Sequence, residues 1–124
     1  GRLAMLTAVL EARCGVPLSG RDIFLNVAGG LRIQEPAADL AVAAALISSV
    51  TVKPLPARTV FFGEVALSAE LRQVAQAETR LKEAAKHGFQ RAICAHQNRP
   101  REAIPGLEVM GVRTLAEALA AAGF

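Results

Sequence analysis

Tryptophan and tyrosine are absent and only five phenylalanines occur, so stacking on unpaired nucleobases has little to draw on. Cysteine is nearly as scarce. Cys14 and Cys94 stand alone, without a Cys-x-x-Cys pair or a Cys/His cluster, which argues against a zinc site and for two core thiols in a reducing cytoplasm. His87 and His96, near a predicted helix end and in a predicted loop, have no carboxylate or cysteine at ligand spacing and read as surface histidines. The longest stretch without charge, residues 40–52, is too short to cross a bilayer, so no membrane partner is expected. No glycine-rich phosphate loop of the GxxxxGK[ST] kind occurs, so neither ATP nor magnesium nor zinc is expected as a cofactor of these residues. No secretory leader pattern opens the chain; Gly1-Arg2-Leu3 passes directly into a helical pattern, giving the expectation of a fragment cut at a domain boundary.

What is present is ample for a core. The 124 residues are 52% hydrophobic and 20% charged, which fits a single domain over residues 1–124 and excludes a disordered tail. The net charge is +3, and eleven of the fourteen cations are arginine, whose planar fork suits phosphate better than lysine does. That balance permits a nucleic-acid partner without demanding one.

Periodicity predicts a helix over residues 3–13, with Leu3, Leu6 and Leu10 on one face, stopped by Gly15 and Pro17. A strand follows over residues 22–27, a turn at Gly29-Gly30 and a short extension through Ile33. Pro36 opens a helix over residues 37–49 that is apolar almost all round and must be buried on several sides. Residues 59–67 read as a strand in which Gly63 marks a bulge or a close backbone approach, and residues 70–74 pair back as a hairpin. A one-sided surface helix spans residues 76–87, strands span 89–95 and 107–112, and Thr114 with Glu117 forms a capping box for the last helix. The last helix presents Leu115, Ala118, Leu119 and Ala122 on one face and alanine on the other, a surface that a neighbouring subunit could cover. The expected fold is α/β (α+β type), helices on a mixed sheet.

Three stretches, Arg32-Ile-Gln-Glu-Pro-Ala-Ala-Asp-Leu-Ala, Phe62-Gly-Glu-Val-Ala-Leu and Arg80-Leu-Lys-Glu-Ala-Ala-Lys-His-Gly-Phe, resemble the proteolytic domain of the Lon family. Val27-Ala-Gly-Gly-Leu-Arg and Gly111-Val-Arg-Thr-Leu-Ala-Glu-Ala-Leu narrow the resemblance to the Lon-protease-like C-terminal domain of the RadA family of bacterial DNA-repair proteins. The resemblance implies a two-layer, ribosomal-protein-type superfold. Active Lon-type proteases place a serine after a proline that Pro36 matches, and a lysine on a later helix deprotonates it. Here Ala37 stands at the serine position and has no oxygen with which to attack. Ungapped transfer puts Glu78 at the lysine position, with Arg80 the nearest cation and too basic to serve as a base. Ser19, Ser48, Ser49 and Ser68 fall in turns or late in a buried helix, and Lys82 and Lys86 on a solvated face. The expectation is therefore a pseudo-protease and no enzyme. Asp39, where the family has glycine, is expected to cap or pair structurally.

The resemblance further implies self-association into a ring, six-membered in Lon-type domains. It also implies a cytoplasmic, nucleoid-associated setting in recombination and branch migration, with recombinase partners through a full-length parent that carries ATPase and zinc parts. DNA contact through phosphate would use arginines at loops and element ends: Arg2, Arg21, Arg32, Arg99 and Arg101, with Arg72 weakened by Glu70 on its own strand face. The alternative is an oligomerisation domain that never touches nucleic acid; a residual Ser/Lys peptidase is the more distant one.

Overall fold

The computed structural model describes residues 2–16 and 35–124. The strand, turn and extension expected over residues 22–33 lie outside the described residues, as do Ser19, Arg21 and Arg32. Helix α1, Arg2–Cys14, buries Leu6, Val9 and Leu10, a spacing that keeps three side chains on one face. Gly15, at φ +67°, lets the chain turn back so that the Val16 N–H reaches the Leu10 carbonyl at 3.0 Å.

Glu35 caps a 3-10 turn, Pro36–Ala38, that leads into helix α2, Asp39–Thr51. Asp39, Leu40, Ala43, Ala44, Leu46 and Ile47 of α2 are buried, but Ala45 and Ser49 are exposed, so α2 is wrapped on most sides rather than all. It ends at Val52, a β-branched residue held in the left-handed region at φ 53° with its side chain 88% exposed.

Strands β1, Thr59–Phe62, β4, Arg91–Ala95, and β5, Glu108–Val112, form a parallel sheet in the order β1-β4-β5. Central β4 is buried on both faces from Ala92 to Ala95, as a middle parallel strand must be. The strand expected over residues 59–67 breaks at Gly63. There the backbone leaves the sheet and bonds to the 3-10 turn instead: the Gly63 N–H donates to the Ala37 carbonyl (2.9 Å), and the Leu40 N–H donates to the Gly63 carbonyl (3.1 Å). A hairpin follows, β2, Glu64–Val65, antiparallel to β3, Leu71–Arg72. Its second arm docks on the end of β5: Glu70 bridges Thr114 antiparallel, the Leu71 N–H donates to the Arg113 carbonyl, and the Leu115 N–H donates to the Ala69 carbonyl. The mixed character expected of the sheet comes from this seam.

Helix α3, Ala77–Lys86, buries Leu81 and Ala84 and turns its charges outward, with Glu78 and Lys82 paired at 3.3 Å. Helix α4, Leu115–Ala121, starts as expected: Thr114 Oγ accepts the Glu117 N–H at 3.1 Å, while the Glu117 carboxylate accepts the N–H of Arg113, one residue before the expected position. Ile93 and Ala95 share one core with α1, α2 and α4; Ala92 and Cys94, on the alternate face of the strand, share a smaller one with Leu81 of α3. The fold is α/β, with its main helical layer on one face of the sheet and α3 on the other.

The start of α2 is held by Asp39, which has no exposed surface. Its carboxylate accepts from Arg2 Nε at 2.8 Å, from a second nitrogen of the same guanidinium, and from the Val65 N–H at 3.0 Å; Glu64 lies 3.7 Å from Arg2. The structural role expected of Asp39 is the one observed. A buried carboxylate that loses its cation is left uncompensated, so Arg2→Ala is expected to lower unfolding stability in urea by about 3 kcal/mol, and the double change with Asp39→Ala to recover part of that loss. At the other end of α2, Val52→Gly is expected to raise the urea midpoint, since relief of a left-handed β-branched residue is worth about 1 kcal/mol.

Candidate functional site

The turn that the Lon resemblance marks as the nucleophile position offers an ion pair. Ala37 is buried; its N–H donates to Glu35 Oε1 at 3.2 Å and its carbonyl is taken by Gly63. The same Glu35 oxygen lies 3.8 Å from the Arg80 guanidinium, whose Nε donates to the Ala75 carbonyl at 3.1 Å. Arg80, rather than Glu78, is the α3 side chain that pairs with this turn; Glu78 is 67% exposed beside Lys82. A carboxylate and a guanidinium supply neither a hydroxyl nucleophile nor a base matched to one. Of the serines, Ser48 donates its hydroxyl to the Lys53 carbonyl at 2.6 Å, and Ser49 and Ser68 face solvent.

Of the arginines expected to face phosphate, Arg2 has to be withdrawn. Its guanidinium is spent on Asp39 and Glu64, and its position on the first turn of α1, which looks free in sequence, is a structural anchor. Arg21 and Arg32 lie outside the described residues. Arg72 is exposed on β3 with Glu64 as its cross-strand partner, in keeping with its weaker standing. Arg99 and Arg101 are exposed on the segment between β4 and β5.

The structure gathers a cationic cluster where sequence reading saw only part of one. His96 is the first residue after β4 and Arg113 the first after β5, and the Ala95–Val112 pairing sets the two strand ends side by side. The carboxyl ends of parallel strands are where α/β sheets open crevices for ligands. Arg99 and Arg113 each donate to His96 Nε2, at 3.0 and 3.1 Å, and Arg99 Nε also donates to the His96 carbonyl at 3.1 Å. Guanidinium nitrogens cannot accept, so Nε2 must carry its lone pair and His96 is neutral, with its proton on Nδ1. Partial desolvation and the neighbouring Arg113 and Arg99 charges hold the His96 pKa below its ordinary value, against an opposing pull from Glu117. The expectation of a plain surface histidine in a loop is therefore corrected. His96 is half-buried, opens a 3-10 turn, His96–Asn98, and is the acceptor at the centre of two cations.

Two features fix this geometry. Asn98, 8% exposed, clamps the backbone of Val74 from both sides, accepting from its N–H at 2.8 Å and donating to its carbonyl at 3.1 Å. Gly111 on β5 lies under the Arg99 stem: a Cβ there would stand 2.6 Å from Arg99 Cγ and 3.0 Å from His96 Cα. Only glycine lets the arginine cross the strand.

Two open clefts flank His96 and Gln97. One, of about 710 Å³, has Arg99 and Pro100 at its rim and Ile104, Leu107 and Val109 among its walls. The other, of about 390 Å³, contains Arg113 and Thr114 with Glu70 and Glu117. Beneath Arg99, burial pushes the Cys94 thiol up to about 11, with the Arg99 charge opposing, so it stays protonated; Cys14, also raised by burial, is half-buried against the larger core. Among the described residues no three His, Cys, Asp or Glu side chains converge as a metal-holding group. Arg113 escaped sequence reading because it sits between a strand and a helix cap; its signal was its place, first after a predicted strand paired in parallel with the one before His96.

Residues 4–98 match the family model described as subunit ChlI of Mg-chelatase. The chain is 52% identical over 118 residues to DNA repair protein RadA of Pseudomonas aeruginosa, an overlap covering 95% of the chain and 26% of that protein. It is 46% identical over 118 residues to DNA repair protein RadA of Escherichia coli strain K12, with coverage of 95% and 26%. To DNA repair protein RadA of Rickettsia felis it is 55% identical over 94 residues, covering 76% of the chain and 21% of that protein. The chain thus spans about a quarter of the length of the curated relatives it matches. With the resemblance read from its motifs borne out in this way, the chain belongs to the family described as subunit ChlI of Mg-chelatase, and its curated relatives are the proteins named DNA repair protein RadA.

Proposed function

We propose that the chain is a DNA-contacting, self-associating module of a DNA-repair protein of the RadA kind, and that it carries out no peptide-bond chemistry. The observation that carries this reading is the arrangement of Arg99 and Arg113: two guanidiniums share one neutral acceptor, and neither forms an ion pair with a carboxylate among the described residues. Their remaining N–H groups are available to phosphate oxygens, and the exposed Arg101 lies two residues beyond Arg99. Contact of this kind fixes a protein on the phosphate backbone without reading bases. The names of the relatives, DNA repair protein RadA, support the same direction.

In this reading Arg99, Arg101 and Arg113 form the described part of the phosphate-facing surface; Arg21 and Arg32, which lie outside the described residues, stay in the proposal on their sequence alone. Assembly into a ring, a place in recombination and branch migration, and a nucleoid-associated setting in the cytoplasm belong to the proposal. So do ATP, magnesium and zinc chemistry in the parts of the relatives that this chain does not span. Among the described residues, no helix is long and apolar enough to cross a membrane.

The test is binding of a short duplex as salt is raised, read by fluorescence anisotropy. Each phosphate contact contributes roughly 0.9 to the slope of log K against log salt, so Arg99→Ala with Arg101→Ala is expected to flatten the slope by about 1.8 and to weaken binding at low salt. Wild-type binding with an unchanged slope in the double variant would move the contact elsewhere; no binding at any salt would leave an oligomerisation scaffold.

A further inference from the structure

We propose that His96 is a proton-operated third ligand for the phosphate that Arg99 and Arg113 face. Neutral, its Nε2 lone pair accepts from both guanidiniums and ties them down; protonated, Nε2–H becomes a third donor directed at the same anion. This rests on the phosphate-contacting reading of the cluster and adds to it a residue and a mode of regulation.

The geometry leaves His96 no neutral way to serve both roles. Its Nε2 is 3.0 Å from an Arg99 nitrogen and 3.1 Å from an Arg113 nitrogen, and neither nitrogen can accept. When a proton from solvent adds to Nε2, both hydrogen bonds are lost and three positive groups surround one point. Without an anion that state is repelled; with a phosphate oxygen between them it becomes a three-donor clamp with charge-assisted bonds. Protonation and phosphate capture therefore favour each other. The depressed His96 pKa of the free cluster is the counterpart of this coupling.

Each element around His96 contributes to the balance. Arg99 comes from the segment after β4 and Arg113 from the end of β5; Glu117 comes from the first turn of α4, and Glu70 from the hairpin arm. Glu117 already accepts the Arg113 backbone N–H, and both carboxylates line the smaller cleft with Arg113. Neither lines the larger cleft, where Arg99 and His96 stand with Gln97 and Pro100. From that side an anion meets Arg99 and His96 in a cleft whose lining has no carboxylate, while Arg113 lines the smaller cleft on the other side of His96 and Gln97. A phosphodiester stays anionic over the whole range in which histidine titrates, so the proton gained on binding belongs to the protein.

The chain has only two histidines, so imidazole NMR signals read the site directly, with His87, 3.2 Å from Glu83 at the end of α3, as the internal control. On addition of a short duplex the His96 titration midpoint is expected to rise by about one unit; the matching gain in affinity between about pH 8 and about pH 5.5 is roughly tenfold. The salt slope should steepen by roughly 0.9 over the same interval. His96→Gln keeps a neutral acceptor for both guanidiniums and cannot take a proton; it is expected to lose the pH dependence of duplex binding. Duplex binding that is salt-sensitive but leaves the His96 midpoint unmoved would overturn the inference and leave the proposed function standing. A midpoint moved by sulfate and not by duplex would also overturn it, making the cluster a site for a free oxyanion. No duplex binding at either pH would remove the proposed function and this inference together. The wild-type titration decides even if the glutamine variant misfolds.

Discussion

A carboxylate without access to water has to be surrounded by donors, and Asp39 takes its donors from segments far apart in the chain. Arg2 comes from the first turn of α1 and the Val65 N–H from β2, while Asp39 itself opens α2. One side chain thereby fixes where three segments meet, and the backbone bonds of Gly63 to Ala37 and Leu40 lie in the same neighbourhood. The hairpin that leaves Gly63 then reaches the end of β5 through Glu70 and Leu71. A short chain of hydrogen bonds thus links the Arg2–Asp39 pair, through Val65 and Leu71, to the backbone of Arg113. A buried pair contributes modestly to net stability and strongly to the choice of one arrangement over its competitors, as the hypothesis of specificity through buried polar groups holds.

The same economy of partners operates at the cationic edge with the opposite sign. Around Asp39 one acceptor group has enough donors; around His96 two cations share one neutral acceptor and have donors to spare. The first arrangement is closed and the second is open. Electrostatics alone thus separates an anchoring arginine from one that faces outward, although both are exposed-looking arginines at element ends when read as letters.

Much of the fold was legible because its signals are local. The leucine spacing of α1, the proline before α2, the charge pattern of α3 and the Thr114–Glu117 pair each depend on a few neighbouring residues. Gly63 was read as a bulge or a close approach, and it is the close approach, made by backbone groups of the 3-10 turn that precedes α2. The site was less legible because its members lie on different elements. Glu78 was aligned with the lysine position and Arg80 noted as the nearest cation; in the fold Arg80, two residues further along α3, is the side chain that pairs with the turn at Ala37, and Glu78 pairs with Lys82. Arg2 looked free because Asp39, thirty-seven residues away, is invisible to local pattern. His96 and Arg113 become neighbours only through the register of two parallel strands, which periodicity does not supply.

The connection from β4 to β5 is unusual for a parallel pair in having no α-helix, only the short turn at His96–Asn98 and an irregular stretch before Leu107. It has two footings: Asn98 is pinned to Val74, and Leu107 is buried in the smaller core, where Ile104 packs beside it and accepts its N–H. The stretch from Pro100 to Ala103, between those footings, can therefore lengthen or shorten with little change to strand register, each doubling of a flexible loop costing only about 0.6 kcal/mol. Because Arg101 is carried on that stretch and Pro100, Ala103 and Ile104 line the larger cleft, the reach and width of the cationic edge can drift between species while the sheet beneath it stays the same.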